Sequence, residues 1–229
     1  MPDLGALLHN AKAVAFSWHG VLFDRDRRAI HAALAETFAR WTVIVTESEL
    51  VATRGPTGRP QIDRLFALPR VAEAFRTAHG RWATSEDLAA MTRDLEPRLI
   101  VAATVAAEPN RDACALLERL RARGLQTAVI CCTPRRLLGP QLEALARAGL
   151  PIDCVLTADE TCEPAPEPWG IFEASRRLGL ERTEDLVLID DSPAGASAAR
   201  NAGARSIALT PSGASASDAN ATLRSLEDV

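Results

Sequence analysis

A chain of 229 residues, 47% hydrophobic and 24% charged, is long enough for one α/β core with an inserted subdomain and is ordinary in composition for a globular protein. Its net charge of −4 excludes nucleic acid as the main partner, because phosphate binding calls for a basic field. No run approaches the ~20 apolar residues of a membrane helix, and the opening MPDLGALLHNAKAVAF has no basic leader segment, so a cytoplasmic protein without a membrane partner is expected.

In chain order, the first apolar run of β character covers residues 13–18 (AVAFSW). Residues 25–107 then read as helix after helix, at 27–41, 47–52, 61–68, 69–79 and 85–106, with RGPTGRPQ at 54–61 as the one clear turn. After that block the chain alternates. A helix at 111–123 stops at Gly124, and a strand follows at 126–132 (QTAVICC). A helix opening on Pro134 runs to 148, with a strand at 153–157. A helix at 168–178 leads to a strand at 186–189 that ends on Asp190-Asp191. A last helix at 193–202 precedes a strand at 206–209.

Near-continuous apolar strands suit a parallel sheet buried on both faces. Their alternation with helices predicts an α/β fold, a doubly wound, Rossmann-like parallel sheet. Residues 1–24 and 108–229 would form the core. Residues 25–107 would form a small all-helical cap over the sheet's carboxyl edge, where ligands bind in open α/β sheets. The segment PSGASASDANA (211–221) reads as mobile.

Five cysteines, at 114, 131, 132, 154 and 162, include no zinc-type CxxC pair and are expected as reduced thiols, mostly small core hydrophobes. Lys12 is the only lysine among 26 basic residues, so any chemistry that needs an amine must use Lys12. The pair Asp190-Asp191 at a strand end has two readings, a cap for the next helix or a site carboxylate pair.

Four motifs in order resemble the haloacid dehalogenase superfamily, and most closely its phosphonoacetaldehyde hydrolase branch, over nearly the whole chain. The first strand ends Phe16-Ser17-Trp18-His19-Gly20-Val21, where that family has F-D-W-x-G-T. The helical block holds Ile62-Asp63 and Ala67-Leu68, spaced as in the family's I-D-x-x-x-A-L. Pro168-Trp169 matches a P-W pair that opens a helix after the third strand. Asp191-Ser192, followed by Arg200-Asn201-Ala202-Gly203, matches the run after the fourth strand.

The resemblance implies an aspartate nucleophile at the end of the first strand and a magnesium ion held by that carboxylate and the acids after the fourth. Here the nucleophile position is Ser17, and a neutral hydroxyl does not replace an anionic metal ligand. The hydroxyl of the second motif is replaced by Cys131, a weak donor. The basic residue of the third motif is replaced by Ala165, with Glu163 and Glu167 nearby. The Schiff-base lysine of the cap is replaced by Gln61. Lys12 lies five residues before Ser17, about 17 Å toward the wrong end of the strand. Magnesium-dependent phosphohydrolase and phosphonatase activities are therefore not expected, nor is a metal cofactor.

Three readings remain. A repurposed enzyme would place Ser17, His19 and Asp191 (or Asp190) as nucleophile, base and orienting acid, with Cys131 as a competing nucleophile, acting on a small carbonyl or acyl compound. A binding module would keep the cleft for a small molecule, with Asp190, Cys132, Gln61 and Trp18 lining it. A partner protein would use its surface. Arg59, Arg64, Trp82 and Trp169 are candidates for the cleft or for an interface, and a homodimer through the cap is implied by the resemblance alone.

Overall fold

The computed structural model describes residues 4–24, 26–210 and 218–228. Six parallel strands form one sheet in the order β3-β2-β1-β4-β5-β6. They are β1 (Ala13–Ser17), β2 (Gln126–Ile130), β3 (Cys154–Leu156), β4 (Leu186–Asp190), β5 (Arg205–Leu209) and β6 (Ala221–Leu223). In chain order the helices are α1 (Leu4–His9), α2 (Asp26–Arg40), α3 (Glu47–Ala52), α4 (Arg59–Phe66), α5 (Pro69–His79), α6 (Ser85–Val105), α7 (Arg111–Ala122), α8 (Gly139–Ala148), α9 (Trp169–Arg177) and α10 (Pro193–Ala202).

Side chains alternate across the sheet with the period of an extended chain. Val14 and Phe16 of β1, Val187 and Ile189 of β4, and Ile207 of β5 point to one face, where α7 supplies Leu116, Leu117 and Leu120. Ala13 and Ala15 of β1 and Leu186 and Leu188 of β4 point to the other, against Ile171 and Ala174 of α9 and Ala199 and Ala202 of α10. Both faces are buried, which is why the strands read as unbroken apolar runs.

Helices α2 to α6 share a separate apolar cluster around Leu34, Phe38, Ile62, Leu65, Phe75, Met91 and Leu95. Two capping boxes fix helix starts in this block, Thr46 with Glu49 for α3 and Thr84 with Asp87 for α6. The chain leaves and re-enters the core at one place, where the Asn110 amide donates to the Leu22 carbonyl at 2.8 Å. The block also rests on the loop after β2. Leu137 joins its apolar cluster, Thr133 Oγ1 donates to Thr57 Oγ1 at 2.9 Å, and Arg136 pairs with Glu96.

Three expectations are corrected. The helix expected over 134–148 is broken into a short turn at Arg135–Leu137 and α8 from Gly139, because Pro140 has no N–H to give and its ring would clash with a preceding helical turn. Residues 211–217 of the segment expected to be mobile lie outside the described residues, but its end is held. Asp218 accepts from Ser197 Oγ and Arg200, Asn220 exchanges bonds with the backbone of Ser206, and β6 pairs with β5. The strand expected over 126–132 stops at Ile130, which leaves Cys131 and Cys132 in the loop at the sheet's carboxyl edge.

Candidate functional site

Neighbouring strands β2, β1 and β4 end side by side, with Ser17 opposite Ile130 and Phe16 opposite Ile189, so the residues after each strand converge. Above them is a cavity of about 440 Å³ between the core and the helical block. Val51, Pro56, Ile130, Ile171, Leu188 and Ala198 give it apolar walls. Its polar side chains include Ser17, His19, Arg27, Arg54 and Cys131, together with four carboxylates, Glu163, Glu167, Asp190 and Asp191.

Most of these groups are already engaged within the protein. Ser17 Oγ donates to the main-chain carbonyl of His19 at 3.4 Å. His19 Nε2 lies 2.7 Å from Thr133 Oγ1 and 3.7 Å from Cys131 Sγ. Arg27, from the first turn of α2, grips Asp191 with two donors: Nε reaches Oδ2 at 2.7 Å and Nη2 contacts Oδ1. Nη2 also donates to the His19 carbonyl at 3.0 Å. Asp190 Oδ1 accepts from the Ser192 amide at 2.7 Å and the Ser192 hydroxyl at 2.6 Å. Burial and the adjacent charge of Asp191 push the Asp190 carboxyl up to about 6. Burial pushes the Cys132 thiol up to about 11, so it is protonated near neutral pH, and it donates to the Gly55 carbonyl at 3.4 Å.

The expected relay of Ser17, His19 and Asp191 is not assembled. The chain does not continue extended past Ser17. Gly20 adopts a φ of 82°, and the amides of Leu22 and Phe23 fold back onto the carbonyls of Ser17 and Trp18. This turn directs the His19 ring to Thr133 and Cys131, while the acid is taken by Arg27. Asp190 is likewise turned to the start of α10, where it bonds Ser192.

Trp18 borders the cavity and is also part of the core. Its ring is fully buried against Phe23, and its indole N–H donates to Gln141 Oε1 at 2.9 Å. Gln61 is buried beside the site, in a separate space of about 20 Å³ shared with His19, Arg27 and His31. Arg64 braces the cavity's rim by donating to the carbonyls of Thr53 and Pro56. Arg59 is bound to Asp63 on the surface. Trp82 is exposed under Arg76, and Trp169 is exposed beside Phe172.

Sequence reasoning missed Arg27, Arg54 and Thr133. Thr133 follows directly on the two cysteines and was within reach of a search for a displaced hydroxyl. Arg27 had no such signal, since it is one of 25 arginines and its carboxylate partner lies 164 positions away.

The magnesium ion implied by the resemblance does not fit these residues. Both oxygens of Asp191 are engaged by a guanidinium, and position 17 offers a neutral hydroxyl where the resemblance implies an anionic ligand. Among the described residues no helix is long and apolar enough to cross a membrane.

The sequence pattern of haloacid dehalogenase-like hydrolases matches residues 6–203. A phosphonoacetaldehyde hydrolase of Nitratidesulfovibrio vulgaris is 31% identical over 206 residues, covering 88% of this chain and 72% of that protein. One from Pseudomonas fluorescens is 30% identical over 207 residues, covering 88% and 74%. Among solved structures, a phosphonoacetaldehyde hydrolase like protein from Oleispira antarctica superimposes with a TM-score of 0.87 at 16% identity, over 96% of this chain and 90% of that one. CbbY from Rhodobacter sphaeroides, solved in complex with phosphate, gives 0.71 at 23% identity over 94% and 95%. The 198-residue match and the 31% identity over 88% of the chain lead to one assignment: the chain belongs to the haloacid dehalogenase-like hydrolase family, in its phosphonatase-like branch.

Proposed function

We propose that this chain binds a small organic molecule in the cleft between sheet and helical block, without the aspartate-nucleophile, magnesium-dependent phosphoryl chemistry that the resemblance implies. One observation carries the reading. The cavity keeps a ligand-sized volume of about 440 Å³, while the side chain at the nucleophile position is a hydroxyl turned onto the His19 carbonyl. Four carboxylates line the cavity against two guanidiniums, and one of those guanidiniums is bound to Asp191; this balance disfavours a phosphate dianion. Apolar walls favour a compact hydrocarbon body. Arg54 is exposed at the cavity, and among the described residues its side chain makes no hydrogen bond or ion pair, so its guanidinium donors are available to a carbonyl or carboxylate oxygen.

A second reading rests on the 3.7 Å contact between Cys131 Sγ and His19 Nε2. An imidazole beside a thiol is the arrangement that makes a cysteine nucleophilic, and the reaction would be acyl transfer on a small carbonyl compound. The setting for either reading is the cytoplasm, and a homodimer through the helical block belongs to the proposal as well.

A thermal-shift screen with small carboxylic acids, aldehydes and amides tests the first reading. A hit whose stabilisation is lost in Arg54→Ala supports it. Release of phosphate from phosphonoacetaldehyde in the presence of magnesium overturns it. Alkylation by iodoacetamide mapped to Cys131 and slowed by His19→Ala supports the second.

A further inference from the structure

We propose that the Arg27 guanidinium is a built-in cation that occupies the place of a divalent metal and closes this site to metal ions. Arg27 belongs to the helical block and Asp191 to the sheet edge, and the pair joins the two with both side chains largely buried, 20% and 15% exposed. The guanidinium uses Nε and Nη2 on both oxygens of Asp191, and Nη2 also donates to the main-chain carbonyl of His19. Those three oxygens, one carboxylate and one carbonyl, are the donor set that a hard divalent cation would seek between the ends of β1 and β4. A guanidinium satisfies them with a single positive charge and a planar fork matched to a carboxylate.

The neighbouring positions are shaped around this pair. Gly20 has no side chain where a Cβ would stand 2.1 Å from Asp191 Oδ2 and 2.5 Å from Arg27 Nε, so only glycine lets the loop pass beneath it. Position 17, at the end of β1, offers a hydroxyl that is itself turned onto the His19 carbonyl. Adding a dication here would require Arg27 to leave, which breaks a part-buried ion pair and strands its charge.

The proposal extends the reading of a metal-independent cleft but has a separate readout, metal occupancy rather than ligand binding, so either can fail alone. The test titrates the full-length protein with Mn²⁺ and follows free Mn²⁺ by electron paramagnetic resonance. Wild type is expected to show no saturable binding, and its melting temperature should be the same in Mg²⁺ and in chelator. Arg27→Gln leaves Asp190 and Asp191 unopposed, and should gain saturable binding, at least about tenfold tighter than wild type, given the attraction of a dication to unopposed carboxylates in a part-buried site. That gain should vanish in Arg27→Gln with Asp191→Asn. Saturable binding by wild type that is lost in Asp191→Asn overturns the proposal, as does a folded Arg27→Gln that binds no better than wild type. If Arg27→Gln does not fold, the wild-type titration decides alone.

Discussion

Gly20 and Asp191 approach so closely that a single added methyl group has nowhere to go: a Cβ on Gly20 would stand 2.1 Å from Asp191 Oδ2. The φ of 82° at Gly20 adds backbone strain for any other residue. Gly20→Ala therefore carries two costs, a left-handed backbone and displacement of the Arg27–Asp191 pair. Together these should destabilise the protein by about 2–4 kcal/mol, lowering the melting temperature by roughly 5–15 °C for a chain of this size. Differential scanning calorimetry reads the change directly. A shift within the error of wild type would mean that the loop relaxes freely and that the pair does not depend on it.

Trp18 separates the core from the cleft. Its indole N–H bonds to Gln141 Oε1, and Gln141 in turn donates to the Ala106 carbonyl at the end of the helical block. Trp18→Phe removes that donor from a buried acceptor and leaves a small void. A loss of about 1–3 kcal/mol is expected in urea denaturation. Affinity for any ligand found in the cleft should stay within about twofold, because the indole N–H is spent on Gln141 and phenylalanine keeps an aromatic side chain at the cavity's border. A loss of affinity larger than the loss of stability would show that the indole itself contacts the ligand.

The sheet and the helical block were legible because burial on both faces writes itself into sequence as apolar runs, and because helices such as 193–202 begin and end on proline and glycine. The site was less legible. Ser17 and His19, two apart, read as one extended edge, but the turn at Gly20 rotates the imidazole toward Thr133, and no local pattern announces that turn's side-chain consequences. The Arg27–Asp191 pair is a tertiary fact between a helix of the block and a strand end of the core. Pro140 did announce the break before α8, and reading 134–148 as one helix overlooked it. The ordered end at Asp218 to Leu223 depends on partners in α10 and β5, which composition does not record.

Asp190 makes stability depend on pH in the direction opposite to most carboxylates. Burial and Asp191 raise its folded value from 3.8 to about 6, so the native state holds a proton that the unfolded chain has released. Stability from this group is then present below about pH 4, declines as pH rises through that window, and is lost above about 6. Asp190→Asn keeps an acceptor for Ser192 and cannot ionise. It should match wild type near pH 4 and exceed it by about 2–3 kcal/mol at pH 8, measured as paired melting curves. A mutant less stable than wild type at pH 8 would show that the charged carboxylate is compensated in the native state.

Ser17→Asp asks whether the chemistry implied by the family can be restored by one residue. It adds a fifth carboxylate to a cavity that already holds four, close to an Asp190 whose charge is disfavoured. The first consequence is electrostatic: the mutant should lose stability at neutral pH and recover much of it near pH 4, where carboxyls are protonated. The second is chemical. Arg27 still holds Asp191, Cys131 and Ala165 remain where the resemblance implies a hydroxyl and a basic residue, and Gln61 forms no imine, so Mn²⁺ binding and phosphate release from phosphonoacetaldehyde should both remain at background. Combining Ser17→Asp with Arg27→Gln should give metal binding but not turnover, because the resemblance implies a metal site and phosphate contacts built from separate residues. Turnover by Ser17→Asp alone would show instead that the guanidinium yields to a metal once an anionic ligand is supplied, and that position 17 by itself holds the site inactive.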